Sequence, residues 1–83
     1  MSTYNYMDEA ALPFAKIFGD RVRARRKELG LTQGALCERT GISTAYISAV
    51  ERGTGNPSLD IMVQLAVALE TEITELLRPA PTE

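Results

Sequence analysis

Arginine and lysine side chains are the residues in this sequence whose type and spacing could do chemistry. Eight of the nine lie between residues 16 and 52, against four acidic residues, whereas residues 53–83 hold one arginine and five acidic residues. The eight are Lys16, Arg21, Arg23, Arg25, Arg26, Lys27, Arg39 and Arg52. Guanidinium and ammonium groups bind phosphate oxygens. The net charge of −2 is therefore an average over a basic segment, residues 16–52, which we call the basic front, and acidic segments on either side of it. A basic surface of this kind suits a polyanion such as DNA, although a solvated helix face has the same composition.

The remaining polar residues do not indicate a catalytic site. The sequence has no histidine and a single cysteine, Cys37, so no histidine is present to activate Ser43, Ser48 or Cys37 as a nucleophile. One cysteine supplies neither an internal disulfide nor a zinc site, and no glycine-rich phosphate loop occurs. We therefore expect neither an enzyme nor a bound metal or other cofactor.

Chain length and hydropathy restrict the class of protein further. A chain of 83 residues forms one small domain, and domains of this size often fold as oligomers. No apolar run approaches the roughly 20 residues of a membrane span, and the first residues lack the basic and apolar regions of a secretory signal. We expect a cytoplasmic protein without a membrane partner.

Capping residues and helical spacing of apolar residues predict five helices and no strands. Helix starts are expected after Thr32, Ser43 and Ser58, and Gly41 and Gly53 are expected to end two helices. The predicted helices are Pro13 to Leu29 (with Gly19 as an alternative start), Gln33 to Thr40, Thr44 to about Arg52, Leu59 to Leu69 and Glu72 to Leu77. Their main apolar stripes are Phe14, Ile17, Phe18, Val22 and Leu29 in the first helix and Leu59, Met62, Leu65, Ala66 and Leu69 in the fourth. Residues 1–12 and 78–83 are expected to be a flexible arm and tail around one folded domain, 13–77.

The second and third helices have the pattern of a helix-turn-helix. Cys37 is small enough for the third helix to cross the second closely, and Gly41 permits the sharp turn between them. Ile42 fills the gap in the turn, while Ile47 anchors the third helix. This arrangement leaves the start of the third helix free to enter a major groove.

Three segments of the chain resemble lambda-repressor-like (Cro/XRE-type) helix-turn-helix regulators. They are Val22 to Gln33 with Ala35-Leu36-Cys37, Gly41-Ile42-Ser43 leading to Tyr46-Ile47-Ser48 and Glu51-Arg52-Gly53, and Asn56-Pro57-Ser58-Leu59 with Leu65-Ala66 and Leu69. The resemblance covers about residues 17–77 and implies an all-α, five-helix fold. Within that family the chain is most similar to controller proteins of restriction–modification systems.

The resemblance implies roles for residues of the second and third helices. Gln33 matches the glutamine that bonds a DNA phosphate while bracing the recognition helix, and the fold has no other need for it because Thr32 already caps that helix. The implied groove-facing residues are Thr44, Ala45, Ser48 and Ala49, and the implied backbone contacts are Ser43, Tyr46, Arg52 and Asn56. Arg26 and Glu51 match the family's buried ion pair.

Several positions depart from the family pattern. Cys37 replaces an alanine, Gly34 replaces a helix former, and Glu70 stands where glycine is usual. Thr44, Ala45 and Ala49 are too short for bidentate contacts with guanine or adenine. Thymine-methyl contacts and reading of DNA shape are therefore expected instead.

An apolar pair on the fourth helix indicates a second subunit. Val63 and Val67 lie four residues apart, away from the main core stripe. With Ile73 and Leu77 of the fifth helix they predict a dimer interface, next to the acidic rear of the chain.

Together these features predict a homodimeric, sequence-specific DNA-binding transcription regulator that binds an inverted repeat. The resemblance implies autoregulation near its own promoter, as a restriction–modification controller, with RNA polymerase as a candidate further partner. A free-standing phage-type repressor shares most of the same residues. The alternative from another class is an antitoxin-type interaction protein that uses the two terminal tails.

Overall fold

Five α-helices form the fold of the computed structural model, which describes the backbone of residues 6–80 and the side chains of residues 13–80. They are α1 (Tyr6–Glu28), α2 (Gln33–Thr40), α3 (Thr44–Glu51), α4 (Leu59–Ala68) and α5 (Ile73–Leu76). The predicted all-α architecture is confirmed, with the helix-turn-helix at α2 and α3. Across the described part of the chain, no helix combines the length and apolar character needed to cross a membrane.

Side-chain caps fix the starts of α2, α3 and α4. The hydroxyls of Thr32, Ser43 and Ser58 each accept a hydrogen bond from the N–H three residues later, at 3.0, 3.1 and 3.2 Å. Each bond satisfies one otherwise free N–H of the first turn, which is worth about 1 kcal/mol. Gly41 ends α2 with a left-handed φ of +78°. The predicted starts of these helices and the predicted stop at Gly41 are confirmed.

The first helix is longer than the sequence predicted. It begins at Tyr6 and passes through Pro13, so the predicted start at Pro13 is wrong. Residues 7–12 are mostly types with high helix propensity, which favours a helix on the N-terminal side of the proline even though the proline lacks one backbone hydrogen bond. Residues 1–5 and 81–83 lie outside the described residues, and the flexibility of the arm and tail stays a prediction.

Gly19 lies inside α1, where the helix contacts the end of α3. A Cβ atom at this position would overlap the carbonyl oxygen of Val50 and lie 3.1 Å from that of Glu51. A glycine in a helix costs roughly 0.5–1 kcal/mol relative to alanine, and here it permits backbone contact between two helices. Gly19 therefore marks a helix crossing, and the alternative helix start at this residue is wrong.

The hydrophobic core receives side chains from all five helices and from the turn between α2 and α3. Its buried members are Phe18, Val22, Leu36, Ile42, Ile47, Val50, Leu65, Ala66, Leu69 and Leu76. Helix α1 packs on α3 and α5, and α2 packs on α3 and α4. Ile42 fills the helix-turn-helix turn as predicted, and Cys37 packs half-buried against the core.

Two residues of the predicted apolar stripes are largely exposed to solvent. Leu59 is 67% exposed and Phe14 is 53% exposed. Leu59 is the first residue of α4, and the core members of that helix begin only at Leu65. Phe14 lies four residues before Phe18 on α1 and borders an open groove beside Pro57. Helical spacing places both on the correct stripe but does not show where along each helix the core stops.

Candidate nucleic-acid interface

Helix α3 has an inward face and an outward face. Ile47, Val50 and Glu51 are buried. The predicted groove-facing and backbone-binding residues lie on the other side: Ser43, Thr44, Ala45 and Tyr46 are exposed, and Ser48 and Ala49 are half-buried. A short helix of this kind presents a row of small side chains and one phenol to solvent.

The start of α3 carries hydroxyl groups suited to phosphate oxygens. The Ser43 oxygen accepts the N–H of Tyr46, which leaves the Ser43 hydroxyl hydrogen free to donate outward. Tyr46 is 39% exposed, so its hydroxyl group can also reach a ligand. Both residues occupy positions where contacts with the DNA backbone are expected.

A buried ion pair joins α1 to the end of α3. Arg26 donates from Nε to Oε2 of Glu51 at 2.7 Å and from its Nη2 to Oε1 at 2.9 Å. Its Nη1 donates to the carbonyl oxygen of Leu31 at 2.9 Å. The two side chains are only 10% and 4% exposed. The structure thus brings together the two residues that the resemblance pairs.

Gln33 extends this pair to the start of α2. Its amide donates to Oε1 of Glu51 at 3.1 Å. This bond is the bracing of α3 that the resemblance implies for Gln33, so the argument that the cap at Thr32 leaves the fold no need of Gln33 is wrong. An amide nitrogen carries two hydrogens, so one remains for a further acceptor.

The ion pair changes the acidity of both partners. The hydrogen bonds that Arg26 donates to Glu51 raise the pKa of Arg26 above its ordinary value, against the opposing effect of burial. Burial raises the pKa of Glu51, but hydrogen bonds from Arg26 and Gln33 and the charges of Arg26 and Arg23 outweigh it, so its pKa is lower than usual. Both groups are therefore charged at neutral pH, and the pair holds α3 against α1.

Three of the eight clustered basic residues bind the ends of other helices. Arg21, Arg25 and Arg39 donate to the carbonyl oxygens of Glu75, Leu69 and Ala68 at 3.3, 2.8 and 2.9 Å. These carbonyls belong to the last turns of α4 and α5, where free acceptors and the helix dipole attract cations. The prediction of a single basic front is therefore wrong for these three arginines.

Four of the five remaining basic residues, all but Lys27, line a groove between α1 and the end of α3, which we call the α1–α3 groove. Its lining includes Lys16, Arg23, Gln33, Ser48, Arg52 and Thr54, together with the Arg26–Glu51 pair. Arg52 donates to the Ser48 hydroxyl, and Lys16 lies 3.3 Å from Asp20. The groove therefore combines cations, hydroxyls and an amide, which are the usual donors to phosphate.

A helix-turn-helix family model matches residues 22–76 of the chain. This segment contains the buried ion pair, both helices of the motif and most of the core. The chain belongs to the Cro/XRE-type helix-turn-helix family. Regulators of this family bind DNA, and the all-helical fold described above is the lambda-repressor-like fold of the family.

Two relatives by sequence span different shares of their own length. An uncharacterized HTH-type transcriptional regulator of Sinorhizobium fredii is 39% identical over 64 residues, which are 77% of this chain and 83% of the relative. The immunity repressor protein of Bacillus phage phi105 is 37% identical over 59 residues, which are 71% of this chain but 41% of the repressor.

A solved structure matches both the fold and the sequence. The restriction-modification controller protein C.AhdI from Aeromonas hydrophila superposes with a TM-score of 0.72 at 40% sequence identity. The match covers 75% of this chain and 94% of that controller. The chain is therefore similar to this controller over nearly the controller's whole length.

The four residues predicted for a dimer interface of this helix-turn-helix protein differ in how far they are exposed. Val63 and Val67 are 43% and 71% exposed and lie together beside Arg39 and Gln64. Ile73 and Leu77 are half-buried against the core, and Leu77 lines the groove that contains Phe14. Asn56, predicted for DNA, is exposed and lines that second groove as well.

Sequence reasoning missed Lys16 and Arg23 as members of the α1–α3 groove. Their spacing carried a signal, because residues 16, 20, 23 and 26 lie on one face of a helix. Arg21 and Arg25 form a different stripe of the same helix. The family's known ion-pair position at Arg26 would have identified which stripe lies beside α3.

Proposed function

We propose that this protein is a sequence-specific DNA-binding transcription regulator that binds an inverted-repeat operator as a homodimer. The observation that carries the proposal is the outward face of α3, which is held by the buried Arg26–Glu51 pair and flanked by exposed donors at both ends. A recognition helix needs this combination of a fixed scaffold and an open surface.

Backbone contacts would position the helix on the duplex. Ser43 and Tyr46 lie at the start of α3 and Arg52 lies at its end, where Gln33 of α2 donates to Glu51. Contacts of this kind set register and orientation but do not read sequence. Asn56 would approach the backbone from the loop that precedes α4.

Sequence would be read by the small residues of α3. Thr44, Ala45 and Ala49 have no group that can make two hydrogen bonds to a base, but the Thr44 methyl and the alanines can contact the methyl group of thymine. We therefore propose an operator with thymines at the contacted positions and further discrimination from DNA shape.

Dimerisation would come from Val63 and Val67, with Ile73 and Leu77 contributing the part of their surface that the core leaves open. Isolated exposed valines are common, but two at i and i+4 form a continuous apolar strip. A dimer of this type places its two recognition helices about 34 Å apart, one turn of DNA.

The controller role is supported by the similarity to C.AhdI, which covers 94% of that protein at 40% identity. We propose an autoregulatory controller of a restriction–modification system. A phage-type repressor is the second candidate, and the match to the phi105 immunity repressor supports it. The genes beside this one distinguish the two candidates: an adjacent endonuclease and methyltransferase pair supports the controller, whereas adjacent phage genes contradict it.

Fluorescence anisotropy tests the DNA-binding function. The probe is the duplex immediately upstream of the protein's own gene, titrated over a salt series against a scrambled duplex. We expect binding at least about a thousandfold tighter than to the scrambled control. The Arg52→Gln variant is expected to reduce the salt slope by about one unit, and Thr74→Ala, an exposed change on α5, is expected to leave it unchanged.

Equal weak binding to both duplexes would contradict a promoter-proximal operator and favour the antitoxin-type alternative. The absence of binding to either duplex at low salt would overturn the DNA-binding proposal altogether.

A further inference from the structure

The charges of the α1–α3 groove do not cancel. Arg26 and Glu51 neutralise each other at 2.7 Å, and Lys16 has Asp20 at 3.3 Å. Arg23 and Arg52 also line the groove, and among the described residues neither lies within ion-pair distance of a carboxylate. The groove therefore holds two exposed guanidinium groups in excess.

Arg23 differs from the arginines on either side of it. Arg21 and Arg25 donate to backbone carbonyls at the ends of α5 and α4. Arg23 is exposed and has no hydrogen bond to any described residue. Its positive charge reaches the buried pair, since it contributes to the lowered pKa of Glu51. An arginine of this kind is available to an external anion.

The position of Arg23 relative to α3 indicates which anion would bind. Ser43 and Arg52 flank α3 on opposite ends, and nine residues of helix rise about 13 Å. The major groove of B-DNA is about 12 Å wide. A helix lying across that groove would have Ser43 and Tyr46 near one phosphate backbone and the α1–α3 groove near the other.

We propose that Arg23 binds a backbone phosphate of DNA, beside the phosphate bound by Arg52, at the end of α3 opposite Ser43. This inference rests on the proposed function and adds a residue of α1 to the interface. The guanidinium fork of Arg23 would donate to two phosphate oxygens. The Ser48 hydroxyl accepts from Arg52 and so keeps its hydrogen as a further donor in the same groove.

Lys27 supplies the matched control for this proposal. It lies one turn beyond Arg23 on α1, it is exposed, and replacing it with glutamine removes one positive charge just as Arg23→Gln does. Lys27 is absent from the lining of the α1–α3 groove. A general loss of charge therefore affects both variants equally, whereas a phosphate contact affects only Arg23→Gln.

The test measures the salt dependence of DNA binding by the full chain, with a labelled mixed-sequence duplex so that the operator need not be known. Between 50 and 200 mM salt, each phosphate contact contributes about 0.9 to the slope of log Kobs against log salt concentration. We expect Arg23→Gln to lose about one unit of slope and Lys27→Gln to keep the wild-type value. Arg23→Lys is expected to keep the slope with weaker binding, because the charge remains and the fork is lost.

Three results would overturn the assignment of Arg23. The first is a wild-type slope in Arg23→Gln, and the second is an equal reduction in Arg23→Gln and Lys27→Gln. The third is a reduced slope accompanied by loss of helical circular dichroism. If Arg52→Gln still loses its unit of slope, only this inference fails. If the wild-type protein itself shows no salt-dependent binding, the proposed function fails with it.

Discussion

Arg26 and Glu51 connect the first and third helices through two hydrogen bonds of 2.7 and 2.9 Å between side chains that are almost fully buried. Gln33 adds the second helix to the same carboxylate. Three helices thus meet at one group, and the orientation of the candidate recognition helix depends on it.

Removing one partner of this pair should cost more than removing both. Arg26→Met or Glu51→Leu leaves a buried charge without its partner, and we expect each to lower the free energy of unfolding by about 3–5 kcal/mol. The double variant should recover most of that loss, since both charges are gone. Urea unfolding of the four proteins gives the coupling energy. Strictly additive losses would show that the pair is not coupled.

Low pH should lower the folding stability of the protein through protonation of Glu51. Its pKa is lower in the folded protein than the ordinary carboxyl value of about 4.3. Its contribution to stability is therefore complete above that value and is lost as the pH falls through the lower native pKa. NMR titration of the Glu51 carboxyl carbon in the wild-type protein should give a midpoint below 4.3. A midpoint at or above that value would contradict the lowered pKa.

Glu70 is a site where one substitution should stabilise the protein. Its backbone has a φ of +58°, a left-handed conformation that costs a residue with a Cβ roughly 1–2 kcal/mol. Its carboxylate accepts a bond from Arg39 at 3.2 Å, but both side chains are exposed and such pairs contribute little. We expect Glu70→Gly to raise the free energy of unfolding by up to about 1 kcal/mol.

The matched control for this substitution is Glu70→Ala, which removes the same carboxylate but keeps the Cβ. Thermal and urea unfolding should rank the glycine variant above the alanine variant. The reverse order would mean that the backbone conformation at residue 70 is not strained.

Val67 tests the proposed dimer. The side chain is 71% exposed, so Val67→Glu should leave the fold intact. Burying a valine contributes at least about 1.5 kcal/mol, and a symmetric dimer buries Val67 twice. We therefore expect the dissociation constant of the dimer to rise at least about a hundredfold in Val67→Glu. Analytical ultracentrifugation measures the change. Thr44→Glu, an exposed substitution at the start of α3, adds the same charge as a control, and equal behaviour of the two variants would remove Val67 from the interface.

Local chemistry made much of the fold predictable from the sequence. Helix starts are indicated by Thr32, Ser43 and Ser58, because a hydroxyl three residues before a free N–H is sufficient to cap a helix. Gly41 indicates the end of α2, because few other residues adopt a left-handed conformation without strain. These features depend on neighbours within a few positions, and the sequence displays those neighbours directly.

The features that the sequence concealed depend on distant parts of the chain. Gly19 is required by the carbonyl of Val50, 31 residues later, and without that partner it resembles an interruption of the helix. Arg21 and Arg25 find their acceptors 54 and 44 residues away. A count of charges along the chain therefore placed these arginines with Arg23, because only the packing of α4 and α5 separates them.

The two faces of α3 also affect how such a protein can diverge. Ile47 and Val50 hold the helix in the fold, whereas Thr44, Ala45 and Tyr46 are exposed. Substitutions at exposed positions usually alter stability by less than about 0.5 kcal/mol. Descendants of one gene can therefore acquire new outward residues while keeping the same scaffold. Two copies of such a gene in one genome could in this way come to recognise separate DNA sites, and every intermediate sequence would still fold.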